Sequence, residues 1–122
     1  MILPIYTLPE ISFVGGESQV FLFNMRTMSG NDFDGTNCSV GFALIHYANK
    51  NSAPLLVKEA ELKIGDNGFL NIASIHLSPS DTVGLYGRFV YQITINDSEG
   101  FTEIPGQGII NITRNIHPLF IS

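Results

Sequence analysis

The stretch Arg88–Asn96, RFVYQITIN, puts Phe89, Tyr91, Ile93 and Ile95 at every second position, with Val90, Gln92 and Thr94 between them. A period of two is the side-chain repeat of an extended strand. It excludes an amphipathic helix, whose apolar residues recur every three or four positions. Four large side chains on one side of a strand need an apolar surface to cover them. A chain built around this segment must therefore form a sheet and place something apolar against it.

The rest of the chain repeats the pattern in short pieces. Ile11–Val14 is a strand candidate ended by Gly15-Gly16. Ser18–Thr27 has Val20, Leu22 and Asn24 on one face and Phe21, Phe23 and Met25 on the other, as expected of a central strand or one covered twice. Met28–Asn37 is dense in turn formers and reads as a loop. Cys38–Tyr47 sets Val40, Phe42, Leu44 and His46 on one side. Leu55–Ile64 contains good helix formers, but Pro54 before it and Asp66-Asn67-Gly68 after it favour a strand that pairs with Phe69–Leu77 across a hairpin. Ser78–Asp81 is expected to be a loop, and Asn96–Gly100 a turn. Thr102–Thr113 closes the sheet, with Pro105, Gly106 and Gly108 marking an edge or a bulge.

About 7–9 short strands, frequent turns and no convincing helix predict an all-β fold, an antiparallel immunoglobulin-like β-sandwich. The 122 residues suit one domain, with its core over about residues 9–116 and an apolar tail at each end. In the run SPSDTVGLYGRFVYQI, a loop, a Leu, a Gly and an alternating aromatic strand match the start of the penultimate strand of such sandwiches. Phe89 or Tyr91 is expected at the corner position that tyrosine often holds there.

Composition narrows function mainly by exclusion. Charged residues make up 14% of the chain, below the usual ~25%. Net charge is −5, and the six basic residues, Arg26, Lys50, Lys58, Lys63, Arg88 and Arg114, are scattered. Such a chain is not expected to bind nucleic acid or an anionic membrane. The N-terminal run has two prolines and no basic segment, so it does not read as a secretory signal, and no stretch approaches a membrane span. Synthesis in the cytosol follows as an expectation, and the Asn-x-Ser/Thr triplets at Asn37, Asn96 and Asn111 read as chance matches.

No motif carries an evident reaction. Cys38 reads as a small buried apolar residue at a strand start. Asp32-Phe33-Asp34-Gly35 resembles a calcium loop only in part, since the EF-hand pattern needs a ligand at Gly30 and a bidentate Glu at Gly41, and turn chemistry explains it better. His46 and His76 lie on separate strands that can approach, with no carboxylate or third ligand at short spacing. No serine lies in a nucleophile elbow, and Gly15-Gly16 does not precede a helix. No cofactor is implied. The chain ends are more informative: MILPIYTLPEI and NIHPLFIS are apolar and punctuated by proline. Apolar ends either pack on their own domain or dock on a neighbour.

The runs FALIHYANKNSAPLL and LSPSDTVGLYGRFVYQITINDSEGFTEIPGQGIINITRNI resemble small tail or baseplate proteins of bacteriophages and prophages, in particular the N-terminal immunoglobulin-like domain of baseplate upper proteins. The likeness is carried by Asp34-Gly35 before a strand, by Asp81-Thr82-x-x-Leu85-Tyr86-Gly87 and by Tyr91-Gln92-Ile93. The closing Gln107-Gly108-x-x-x-Ile112-Thr113-x-Asn115-Ile116 belongs to it too. It spans about residues 17–117 and consists of structural features. Baseplate proteins usually continue into a stalk or coiled coil, whereas this sequence stops soon after Asn115, and its opening prolines lie outside the pattern.

The resemblance implies a non-enzymatic virion module, made in the bacterial cytoplasm and located in the tail. Its partners would be other virion or baseplate subunits, with a homo-oligomer as one arrangement. The interface residues expected from the apolar ends are Ile2, Leu3, Ile5 and Tyr6 on one side and Leu119, Phe120 and Ile121 on the other. The competing reading is a carbohydrate-binding or adhesive module on a cell surface or receptor-binding device. It would expose Tyr47, Tyr86 or Phe101, whereas buried rings would favour the structural role. A third reading, a hydrolase, requires convergent carboxylates or a His-centred cluster.

Overall fold

The computed structural model describes residues 8–25, 34–49, 51–65, 68–97 and 99–120, together with the backbone of 2–4. Among the described residues nine strands follow one another: β1 (Ile2–Pro4), β2 (Ile11–Val14), β3 (Gln19–Asn24), β4 (Ser39–His46), β5 (Leu56–Glu59), β6 (Glu61–Ile64), β7 (Leu70–Leu77), β8 (Gly87–Asn96) and β9 (Thr102–Thr113). They form a four-stranded sheet in the order β1-β3-β7-β6 and a five-stranded sheet in the order β2-β9-β8-β4-β5. The all-β sandwich expected from the alternating pattern is therefore present.

The alternation places the core correctly. Phe89, Tyr91, Ile93 and Ile95 on β8, Val40, Phe42 and Leu44 on β4, and Phe21 and Phe23 on β3 are all buried between the sheets. Their rings connect one sheet to the other. Phe13 lies 6.2 Å from Phe21, Phe21 lies 6.5 Å from Phe42, and Phe23 lies 6.4 Å from Tyr91, measured between centroids. The outer face of β3 is not covered twice, since Val20 is exposed.

Three expectations about the strands and loops need correction. The sandwich is mixed rather than antiparallel: β1 runs parallel to β3, and β2 parallel to β9. Nothing in a local pattern encodes the direction of a partner so remote in sequence. Leu55–Ile64 is two strands in different sheets, because β5 pairs with β4 and β6 with β7. Ala60 is the crossing point. Its N–H donates to the Val40 carbonyl at 2.7 Å, while its small side chain rests on the core. Ser78–Asp81 is not an open loop: Pro79–Thr82 forms a helical turn, α1.

α1 organises one end of the sandwich. The Asp81 carboxylate accepts the Ser78 N–H at 2.8 Å and the Ser78 hydroxyl at 3.0 Å, and pairs with Lys58 of β5 at 2.9 Å. Thr82 is fully buried and its hydroxyl oxygen accepts the Gly16 N–H at 2.9 Å. Gly15 leaves room for this approach, since a Cβ there would meet the Thr82 carbonyl at 2.6 Å. At the opposite end, the β8–β9 turn closes on Asp97, whose Oδ1 accepts the N–H groups of Glu99 and Phe101 at 2.9 and 2.8 Å.

Tyr91 is not a corner residue. It lies in the core, and its hydroxyl donates to the Pro9 carbonyl at 2.7 Å. The ring reaches that carbonyl by passing over Gly108, where a Cβ would come within 2.5 Å of it. The bond fixes the segment that leads into β2.

Candidate functional site

The groups that could support chemistry are dispersed. His46 belongs to the five-stranded sheet, stacks edge-on against Phe89 at 5.1 Å and accepts the Ala48 N–H on Nδ1 at 3.1 Å. His76 sits on β7 of the four-stranded sheet and is exposed. Among the described residues, no three His, Cys, Asp or Glu side chains are placed to share a metal ion. Asp34 spends its Oδ1 on the N–H and hydroxyl of Thr36, at 3.1 and 2.7 Å, and these bonds hold its carboxyl below the usual value. Asp32 and Phe33 lie outside the described residues. Cys38 is half-buried rather than fully buried. Burial, and then the charges of Asp97 and Asp34, push its thiol up, which disfavours the nucleophilic thiolate.

The concavities are modest. A cleft of about 420 Å³ runs between β2 and β3, lined by Pro9, Glu10, Ile11, Ser12, Gln19, Val20 and Phe21. Its single carboxylate, Glu10, accepts a hydrogen bond from the Asn111 amide at 2.9 Å and faces Arg88 at 3.9 Å.

The interface residues expected from the chain ends are described in part. Ile2 and Leu3 belong to β1, in register with Leu22 and Phe23. Ile5, Tyr6 and Ile121 lie outside the described residues. Leu119 and Phe120 occupy a closing 3-10 turn, Pro118–Phe120, and are 95% and 78% exposed. Ile116, just before that turn, is 96% exposed. The base of this tail is anchored, because the Asn115 amide donates to the Gly15 carbonyl at 2.7 Å. β1 lies against the Asn24 end of β3, while the base of the tail is bonded to Gly15, before the Gln19 end.

Tyr47, Tyr86 and Phe101 are all exposed. Tyr47 and Tyr86 sit at the α1 end of the sandwich, each with a guanidinium over its ring, Arg88 at 5.0 Å and Arg114 at 5.9 Å. Phe101 is at the far end, in the β8–β9 turn. They do not form one row.

One surface escaped the sequence reading. On the outer face of the five-stranded sheet, Ile45, Val90 and Ile109 stand side by side, since Ile45 pairs with Val90 and Val90 with Ile109. Ala43, Gln92 and Gln107 form the next row. The signal was the odd-numbered set Ala43 and Ile45, opposite the even-numbered core residues of β4.

No protein-family model and no curated protein matches this chain.

Proposed function

We propose that this domain is a non-enzymatic structural module of a phage or prophage virion, a tail or baseplate component that works by protein–protein contact. The observation that carries the reading is the C-terminal tail, which presents Ile116, Leu119 and Phe120 to solvent from a base fixed to the sandwich. Apolar side chains held out in this way are costly to a free monomer and favourable at a contact. The assignment to a virion comes from the resemblance of residues 17–117 alone.

Removal of Pro118–Ser122 tests the reading. Light scattering across a concentration series should give an assembly for the full chain and a smaller mass, or weaker association, for the shortened one. Both chains should keep the same cooperative melt. Loss of the melt on truncation would place the tail in the core and defeat the proposal.

A second reading is favoured by the exposed rings of Tyr47 and Tyr86 beside Arg88 and Arg114. Paired aromatic and guanidinium surfaces suit a sugar or an adhesive partner. A full chain that stays monomeric but binds in a glycan screen, with binding lost in Tyr86→Ala, would select it.

A further inference from the structure

We infer that the outer face of the five-stranded sheet is a docking surface for a second copy of this chain, the two sheets stacking face to face. The inference rests on the contact reading above but uses a different surface from the tail.

The face has the composition of an interface centre. Its middle rows, Ile45–Val90–Ile109 and Ala43–Gln92–Gln107, hold no charged residue. The following row adds the uncharged Gly41 and Thr94 and ends in Glu59 on β5. Gln107 donates to Gln92 at 2.8 Å, which satisfies polar groups of the two glutamines within the sheet. Val57 extends the patch onto β5 and is exposed. Among the described residues, charges stand at the border, with Arg88 and Glu10 facing each other at one margin and Glu59 at another corner. An apolar centre with a polar rim is the usual anatomy of a protein interface. The opposite sheet differs, since its outer face carries Glu61, Lys63 and His76.

Charge and area both favour a copy of the same chain. The chain carries a net −5, so two copies repel unless they meet where charge is absent, and this face provides that place. Five strands about 4.8 Å apart, from four residues long in β2 and β5 to 12 in β9 and about eight on average, present roughly 600 Å² of flat area, before side-chain relief is counted. Two such faces bury about 1,200 Å², at the threshold of a stable specific interface. Small residues at Gly41 and Ala43 keep the surface flat enough for sheets to stack at about 10 Å. A shallow groove of about 210 Å³, bounded by Pro54 and floored by Ala43, Val90 and Gln92, gives the partner's projecting side chains a seat.

Sedimentation equilibrium of the full chain over a concentration series tests this, with three full-length variants. Ile109→Glu puts a charge in the centre of the face. Gln92→Glu is a milder second variant should Ile109→Glu fail to fold. Leu119→Ser combined with Phe120→Ser removes the tail contacts only. The expected result is a concentration-dependent dimer that survives the tail substitutions. In Ile109→Glu or Gln92→Glu it should weaken at least tenfold, with the β-sheet circular dichroism unchanged. A dimer untouched by either face variant overturns the inference. So does association that is lost with the tail substitutions, an outcome that leaves the contact reading standing. A wild-type chain that remains monomeric throughout overturns this inference too.

Discussion

Tyr91 brings a hydroxyl into an apolar core and reaches a backbone carbonyl, Pro9, 82 positions away. Burial pushes its phenol well above the ordinary value of 10.0, so the group stays protonated and remains a donor across the accessible pH range. Tyr91→Phe keeps the ring and leaves the Pro9 carbonyl without this donor. The expected loss is about 1–1.5 kcal/mol in urea unfolding, with faster amide exchange in β2. Unchanged exchange there would mean that the bond does not hold the segment. Much of this site was legible in the sequence. The alternation showed that Tyr91 faces inward with Phe89 and Ile93, and Gly108 stood out inside a strand. Their relation was not legible, because a ring passing over a glycine to a remote carbonyl is set by how the sheet is laid out.

At the scale of elements, α1 shows how a short polar stretch can become structure. Ser78-Pro79-Ser80-Asp81 contains only turn formers, which supports a loop as readily as a helical turn. What decides is the set of partners. Burial alone would raise the Asp81 carboxyl, but Lys58 and the Ser78 N–H and hydroxyl outweigh it, and the net effect is a value below the ordinary 3.8. A depressed folded-state value contributes stability that is fully present above the unfolded value. That stability is lost as pH falls through the folded one. The wild type should therefore lose more stability than Asp81→Asn between about pH 6 and about pH 2. Comparing denaturation midpoints along that range isolates Asp81 from the other carboxylates, and parallel curves would refute its role. Lys58 comes from β5, just before the crossing at Ala60, which the sequence reading joined to β6 as one strand. Ala60 is a small apolar residue with no turn signal, so the switch between sheets left no local mark, whereas the Gly65–Phe69 hairpin did.

For the whole molecule, the two sheets are held together by one set of rings, while Ile116, Leu119, Phe120 and the exposed aromatics lie outside it. Phe42 occupies the centre, 6.5 Å from Phe21 in the opposite sheet and 5.9 Å from Tyr91 in its own. Phe42→Ala would leave a cavity where the sheets meet, at an expected cost of about 3–5 kcal/mol. That is a large share of the ~5–15 kcal/mol available to a domain. Because both sheets lean on the same ring, they should fail together. Tyrosine fluorescence and far-ultraviolet circular dichroism are expected to report one shared transition, shifted to lower urea. Two separated transitions would show that each sheet is stable without the other. The apolar residues of the tail lie on the other side of this division. Ile116, Leu119 and Phe120 are exposed beyond the last strand, so burial in this core does not account for them.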